Sequence, residues 1–212
     1  MFTKLDDHLY PNLVEVYDFH EINKFVYPIF KCGRSTITEI AKEKQFPVLV
    51  NEQIKQLKLI DIYLRNPKER FISGVRTYLH NVRNENLDVN TIIYYIKQGI
   101  ILDRHYLPQI CWLINLARYL SPATKLSLHS IAMLNEYSQG VHAKPEKDES
   151  IDLSELEQVP NLEMYHRLDQ IILDELIGDS WTIQEILNHL KTSDPIAYTA
   201  VIGKAKHVLS KI

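Results

Sequence analysis

The sequence has few of the residues that disulfide-bonded, metal-binding or membrane-spanning proteins require. Its two cysteines, Cys32 and Cys111, are too few for a disulfide framework or a cysteine-ligated metal site. The nine histidines show no metal-ligand spacing such as HExxH, so no metal is expected. No apolar run reaches about 18 residues, and a membrane span is therefore not expected. The amino terminus lacks the apolar core of a signal peptide, which favours the cytoplasm.

An excess of basic residues is also missing. The chain has 24 lysines and arginines against 27 aspartates and glutamates, which gives a formal net charge of −3. Proteins that bind nucleic acid in general carry an excess of positive charge, so no nucleic-acid partner is expected. Any anion site must depend on a local group of cations. The length of 212 residues and the hydrophobic fraction of 45% fit a single globular domain over residues 1–212.

Apolar runs that predict strands alternate with segments that predict helices. We expect strands at 24–30, 48–50, 57–64 and 125–130, a helix that ends near 44, and further helices at 67–82, 90–98, 131–138 and 161–177. The remaining segments are expected to be a polar, aromatic-rich lead-in at 1–23, a flexible loop at 139–160 and a helical carboxyl-terminal extension at 179–212. Alternating strands and helices predict an α/β fold in which helices flank a mostly parallel central sheet.

Residues 25–36 (FVYPIFKCGRST) begin as an apolar strand and end as a short cationic turn before a helix. Such a turn presents backbone N–H groups and the positive end of the helix dipole, and Lys31 and Arg34 add charge. The expected ligand is a phosphate or a sulfate, and the alternative is an ordinary turn whose charges are solvated. A Walker motif requires GxxxxGK[ST]. This turn has one glycine and its lysine precedes that glycine, which excludes an ordinary P-loop.

Residues 65–74 (RNPKERFISG) form a second cationic segment between a predicted strand and a helix. Asn66 is a suitable cap, and Pro67 suits the first helical position. Arg65 would lie at the carboxyl end of the strand and Ser73 about two turns along the helix, near enough for both to contact one phosphate. A guanidinium gives a forked contact that lysine cannot match. The alternative is a helix start with a few surface arginines.

Four segments resemble sulfotransferase motifs, and they occur in the same order as in that family. Residues 31–36 (KCGRST) resemble the 5′-phosphosulfate loop PKCGTTS, although Phe30 replaces the usual proline and Arg34 a small hydroxyl residue. Residues 65–73 resemble the 3′-phosphate segment RxPxxRxxS. Residues 103–109 (DRHYLPQ) resemble the DxHxxPQ segment of the carbohydrate branch, and 165–169 (YHRLD) resemble its YxxD helix. The chain thus resembles sulfotransferases, and most closely the carbohydrate (sulfotransferase family 2-like) branch.

This resemblance implies both a fold and an activity. The fold would be a P-loop-like three-layer sandwich. The activity would be transfer of a sulfonate from 3′-phosphoadenosine 5′-phosphosulfate (PAPS) to an acceptor hydroxyl on a carbohydrate, without a metal. Lys31 would neutralise the leaving phosphate oxygen. The residues that the resemblance assigns to donor binding are Lys31, Cys32, Gly33, Arg34, Ser35, Thr36, Arg65 and Ser73.

The general base stays open between Glu52, His105 and another residue, and the activity has two alternatives. Glu52 follows a predicted strand end, and His105 belongs to the DxHxxPQ-like segment. Arg34 could help neutralise the sulfonate or could point to solvent. The alternatives to a sulfotransferase are a P-loop-like nucleotide kinase and an inactive sulfotransferase-fold binding protein. The sequence leaves the acceptor and the oligomeric state open.

Overall fold

One six-stranded sheet organises the chain. The computed structural model describes residues 14–81, 90–91, 94–95, 104–134 and 162–209. The strands are β1 (Glu15–Phe19), β2 (Lys24–Tyr27), β3 (Val48–Val50), β4 (Leu59–Leu64), β5 (Lys125–Ser130) and β6 (Ser180–Thr182). They lie side by side in the order β3-β1-β2-β4-β5-β6.

The sheet is mixed, with a parallel centre. The neighbours β2, β4 and β5 are parallel, while β1 is antiparallel to both β2 and β3, and β6 is antiparallel to β5. Four strands (β2, β3, β4 and β5) therefore run in one direction and end at the same edge, which we call the carboxyl edge. The predicted α/β class is confirmed.

Helices cover both faces of this sheet. The α-helices are α1 (Arg34–Glu43), α2 (Pro67–Asn81), α3 (Gln109–Ala117), α4 (Leu162–Ile171), α5 (Ile183–Ser193) and α6 (Pro195–Leu209). Because successive strand residues point to opposite faces, Ile60 and Ile62 of β4 join the main core with α2 to α6. Tyr63 joins a smaller core with α1. Among the described residues, no helix is long and apolar enough to cross a bilayer.

Local signals fixed several boundaries correctly. Asn66 Oδ1 accepts hydrogen bonds from the N–H groups of Lys68 (3.0 Å) and Glu69 (3.2 Å), so α2 begins at Pro67 as predicted. Thr182 and Glu185 form a reciprocal capping box at the start of α5. These interactions lie within a few residues of each other, which is why the sequence reveals them.

Three predictions were wrong. The lead-in contains β1, whose buried positions alternate irregularly around Glu15 and Asp18, so its polar residues concealed a strand. The first predicted strand ends at Tyr27 rather than at 30, since Pro28 has no N–H to continue the ladder. The carboxyl-terminal extension includes β6 as well as helices. Most of the predicted helix at 90–98 and the predicted loop at 139–160 lie outside the described residues.

Candidate active site

The turn between β2 and α1 has the backbone of an anion-binding loop. Lys31 (φ 64°) and Gly33 (φ 75°) are both left-handed, and Gly33 caps α1. The first intrahelical bond runs from Ile37 N to Gly33 O at 2.9 Å. The N–H groups of the first turn have no acceptor within a helix, and the capping residue Gly33 has no side chain that could accept from them. The helix therefore directs uncapped donors to the carboxyl edge.

Glycine is favoured at position 33 mainly by its backbone, since the positive φ would strain any other residue. A Cβ atom built there would also meet Cδ2 of Leu134, which belongs to the 3₁₀ turn Ile131–Leu134 that follows β5. The turn after β5 thus packs directly on the loop and helps to fix its conformation.

The two residues that depart from the sulfotransferase loop pattern contact each other. The guanidinium carbon of Arg34 lies 4.6 Å from the ring centroid of Phe30, within the range of a cation–π interaction. Arg34 Nη2 also pairs with Glu15 Oε2 at 3.1 Å, and both side chains are about one-third exposed. Arg34 is therefore directed along the edge towards β1 rather than into open solvent. Glu15 was not predicted, because it lies in the segment taken for a lead-in.

Arg65 reaches the same edge from the neighbouring strand. It follows Leu64 at the end of β4, which is the parallel neighbour of β2, so Arg65 and Lys31 both lie at the carboxyl edge. Arg65 Nε pairs with Glu69 Oε2 at 3.2 Å in the first turn of α2. Ser73 lies farther along α2 and is partly buried. Both predicted cationic segments therefore lie at the carboxyl edge.

A buried glutamine joins these two segments. Gln109 begins α3 and is 1% exposed. Its Oε1 accepts hydrogen bonds from Cys32 Sγ (3.0 Å) and from Arg65 N (2.9 Å), and its Nε2 donates to Arg65 O (2.8 Å). The 103–109 segment therefore contacts both the loop and the strand end.

The fourth segment is connected to the third. Both carboxylate oxygens of Asp169 in α4 accept hydrogen bonds from the start of α3, from Gln109 N (2.6 Å) and Ile110 N (2.8 Å). Burial raises the pKa of Asp169, while nearby Arg70 and these hydrogen bonds oppose the rise. Asp169 thus caps the helix that carries Gln109.

Arg70 completes the group from inside α2. Its side chain is 1% exposed, and it donates from Nε to Phe30 O (2.9 Å) and from Nη1 to Leu107 O. It is also the strongest charge acting on Cys32, whose thiol pKa burial nevertheless raises to about 11. Cys32 is therefore a protonated hydrogen-bond donor at neutral pH and is not activated as a nucleophile.

The two candidate bases lie at different distances from the loop. His105, in a 3₁₀ turn, packs edge-on against Phe30 with 4.8 Å between the ring centroids. Glu52 lies beyond β3, and β1 separates β3 from β2, which corresponds to about 10 Å across the sheet. The Glu52 side chain is 79% exposed and pairs with Lys55. Of the two candidates, the loop contacts His105.

The chain matches no protein-family model, no curated protein and no solved structure.

The buried Asp61 of β4 has ordinary structural partners. Oδ1 of the buried Asp61 accepts from Lys24 Nζ (3.1 Å) and lies 2.6 Å from His129 Nε2, beneath α1. Asp61 is therefore not a base candidate. Within the same residues, no three His, Cys, Asp or Glu side chains come together as a metal site.

A serine–histidine–glutamate group between the π-helical turn after α4 and α5 lacks the order of a catalytic triad. His189 Nε2 meets both Glu175 Oε2 (2.7 Å) and Ser193 Oγ (3.3 Å). In a triad the carboxylate binds one ring nitrogen and the serine the other. This group therefore gives no support to hydrolase chemistry.

The sequence assigned no role to the residues that hold the site together. Arg70, Gln109 and Asp169 lie inside the four segments, yet each is a polar residue that would ordinarily be read as exposed. The available signal was their position in segments that resemble one family. Membership of a motif indicates that a residue belongs to the site, but it does not show which group that residue forms a hydrogen bond with.

Proposed function

We propose that this protein is a sulfotransferase that moves a sulfonate from PAPS to a carbohydrate hydroxyl, on a P-loop-like fold. One observation carries the proposal. The four segments that resemble sulfotransferase motifs come from distant parts of the chain, yet the described residues of all four are linked by hydrogen bonds at one sheet edge. Nothing in a chance resemblance of short motifs requires them to meet.

The residues at this edge fit the charge pattern of the donor. PAPS carries anionic groups at both the 5′ and the 3′ position, and the edge carries one cationic segment after each of two adjacent parallel strands. The uncapped first turn of α1 and Lys31 suit the 5′-phosphosulfate. Arg65 and Ser73 suit the 3′-phosphate. One partner of the Arg65 guanidinium, Glu69, is 63% exposed, and such a surface pair is worth about 1 kcal/mol or less, so a phosphate can replace Glu69 there.

The chemistry then needs one base and one cation. PAPS supplies the sulfonate. The acceptor oxygen forms a bond to sulfur while the bond from sulfur to the 5′-phosphate oxygen breaks, and His105 accepts the hydroxyl proton. Lys31 stabilises the negative charge that grows on the leaving oxygen. Arg34, held between Phe30 and Glu15, adds positive potential beside the loop.

Nucleotide binding and sulfonate transfer test this proposal together. We expect adenosine 3′,5′-bisphosphate to raise the melting temperature, whereas ATP with magnesium does not, since a ligand that binds the native state stabilises it by an amount that grows with the logarithm of its concentration over Kd. Labelled PAPS should transfer its sulfonate to a mixed carbohydrate pool. Stabilisation by ATP with magnesium alone would instead indicate a kinase. Binding of the bisphosphate without transfer to any acceptor would indicate an inactive binding protein.

Replacement of the two candidate bases tests the assignment of the proton acceptor. We expect His105→Gln to lower kcat for transfer by about 100-fold or more, the usual contribution of a positioned base. Glu52→Gln should change kcat by less than about threefold, because Glu52 lies two strands from the loop. Steady-state rates with PAPS and the best acceptor measure both. The reverse ranking would reassign the base to Glu52.

A further inference from the structure

Gln109 contacts both proposed phosphate-binding segments with one side-chain amide. We infer that Gln109 is a positioning residue that sets the separation of the 5′ and 3′ phosphate sites. The inference rests on the proposed function, because it assigns Gln109 a role in binding that donor. It goes further, since the donor contacts named above are all made by other residues.

The amide of Gln109 takes the place of a strand beside Arg65. Its Oε1 accepts from Arg65 N at 2.9 Å and its Nε2 donates to Arg65 O at 2.8 Å. A neighbouring strand would offer the same acceptor and donor to a residue in a ladder. The pairing therefore continues the sheet one residue past Leu64, the last residue of β4. The backbone that carries the Arg65 guanidinium is fixed by this pairing.

The same oxygen also holds the 5′ loop. Cys32 Sγ donates to Gln109 Oε1 at 3.0 Å, and Cys32 is completely buried between Lys31 and Gly33. One atom is thus in contact with both segments. A shift of Gln109 would change the distance between the loop and the strand end, while a shift of a surface residue such as Glu69 would not.

Gln109 is itself held from two sides. Asp169 accepts from its backbone N–H at 2.6 Å, and Arg70 binds Leu107 O, two residues before Gln109, and Phe30 O, two residues before Cys32. The amide is therefore fixed by α2 and α4 as well as by its own helix. A group with this many anchors is suited to define a distance.

The consequence concerns ligands with two phosphates. When two sites are held at the right distance, the second contact forms within the complex, and a bivalent ligand binds far more tightly than either half. Disturbing the separation removes this advantage and leaves each single site intact. A purely structural role would instead weaken all ligands alike, or none.

The experiment compares three nucleotides on wild type and Gln109→Met by titration calorimetry at 25 °C. Methionine keeps the volume but removes the three side-chain hydrogen bonds. We expect wild type to bind adenosine 3′,5′-bisphosphate about 100-fold or more tightly than adenosine 5′-monophosphate or adenosine 3′-monophosphate. In Gln109→Met the preference should fall to about tenfold or less, with both monophosphate affinities within about threefold of wild type.

Asn115→Leu is the matched control. Asn115 is also a buried amide of α3 at 1% exposure, but its Oδ1 accepts from Arg118 Nη1, and its other neighbour is Tyr27 at the end of β2 rather than Cys32 or Arg65. Asn115→Leu should keep the wild-type preference, whatever its effect on stability. If Gln109→Met does not fold, Gln109→Glu serves instead, because it keeps the acceptor and loses the donor to Arg65 O. The preference should fall in that variant too, but less than in Gln109→Met, because an acceptor oxygen still joins Cys32 and Arg65.

The outcomes separate the two proposals. If wild type prefers the bisphosphate and the Gln109 variants keep that preference, or weaken all three nucleotides equally, the positioning role is overturned and the proposed function stands. If wild type itself binds the bisphosphate no better than the monophosphates, the proposed donor site is overturned, and the role of Gln109 with it.

Discussion

Lys31→Gly is expected to lower kcat for sulfonate transfer by about 100-fold or more while the protein stays folded. Lys31 follows β2 at the loop, and the proposed role of its ammonium is to stabilise charge on the leaving oxygen. Removing one such preorganised charge-stabilising group typically costs a factor of 10² to 10³ in kcat. The loss appears in kcat because the leaving oxygen carries more negative charge in the transition state than in bound PAPS. The affinity for adenosine 3′,5′-bisphosphate should fall as well, because its free 5′-phosphate carries that charge in full.

Glycine is the informative replacement because of the backbone. Lys31 has φ 64°, a conformation that costs an ordinary residue about 1–2 kcal/mol and glycine almost nothing. The relief of this strain offsets the greater flexibility of glycine in the unfolded chain. The free energy of unfolding, measured in urea, should therefore change by no more than about 1 kcal/mol. A large loss of activity without a loss of stability would separate the chemistry from the fold.

Gln45→Gly is the control for this change. Gln45 is also a left-handed residue other than glycine (φ 56°), but it follows α1 at the end remote from the loop. The same backbone relief occurs there without loss of a cation at the site, so kcat should stay within about twofold. If Lys31→Gly kept more than a tenth of wild-type kcat, or if Gln45→Gly lost as much, the role of Lys31 would be wrong.

The elements that the sequence predicts well are those whose signals are local. Asn66 and Thr182 cap helices within three residues of their own position, and β4 (Leu59–Leu64), predicted at 57–64, is apolar almost throughout. β1 lacks such a signal. Glu15 and Asp18 interrupt its apolar pattern, and the strand is defined by its partners β2 and β3 on either side. Pairing of that kind cannot be read from one segment.

The candidate site shows even more clearly that contacts between distant segments cannot be predicted from one segment. The order of the four segments predicted which parts of the chain to examine, and their shared edge follows from the parallel pairing of β2 and β4. The choice between Glu52 and His105 needs the strand order, because β1 inserts between β3 and β2 and moves Glu52 away. Arg70 and Asp169 needed the structure for a physical reason. Whether a charged residue is solvated or buried depends on what packs over it, and that is decided by distant segments.

Arg70→Met should destabilise the fold more than any other substitution considered for the four segments. Arg70 is 1% exposed, and its side chain binds the carbonyl oxygens of Phe30 and Leu107. It is also the main positive charge acting on Asp169, which is completely buried. Removing Arg70 leaves these two carbonyl oxygens without this donor, at a typical cost of about 1–3 kcal/mol each, and it also removes the positive charge that acts on Asp169. The control is Arg118→Met, which replaces an exposed arginine. It should lower the free energy of unfolding by about 0.5 kcal/mol or less.

The loss of unfolding free energy in Arg70→Met should depend on pH, and the shifted pKa values of Asp169 and His166 determine the direction of that dependence. Burial raises the pKa of Asp169, so its share of stability is present at low pH and is lost as the pH rises through the folded pKa. Without Arg70 that pKa rises further, and the loss at neutral pH grows. Burial, Arg70 and Lys68 lower the pKa of His166 to about 3. The stability that the neutral imidazole contributes is therefore lost as the pH falls below about 6.5. Removing Arg70 lessens that acid loss.

Both effects make the difference between wild type and Arg70→Met larger at pH 8 than at pH 5, as urea unfolding at the two values can measure. Asp169→Asn completes a double-mutant cycle. If the charges act on each other, the double variant at pH 8 should be more stable than the sum of the single costs predicts, by about 1 kcal/mol or more. Additive costs, or a larger difference at pH 5, would mean that Arg70 acts through its carbonyl contacts alone. The coupling matters for the site because Asp169 caps the helix of Gln109 while Arg70 holds the Phe30 carbonyl, so these two buried residues support both sides of the proposed donor site.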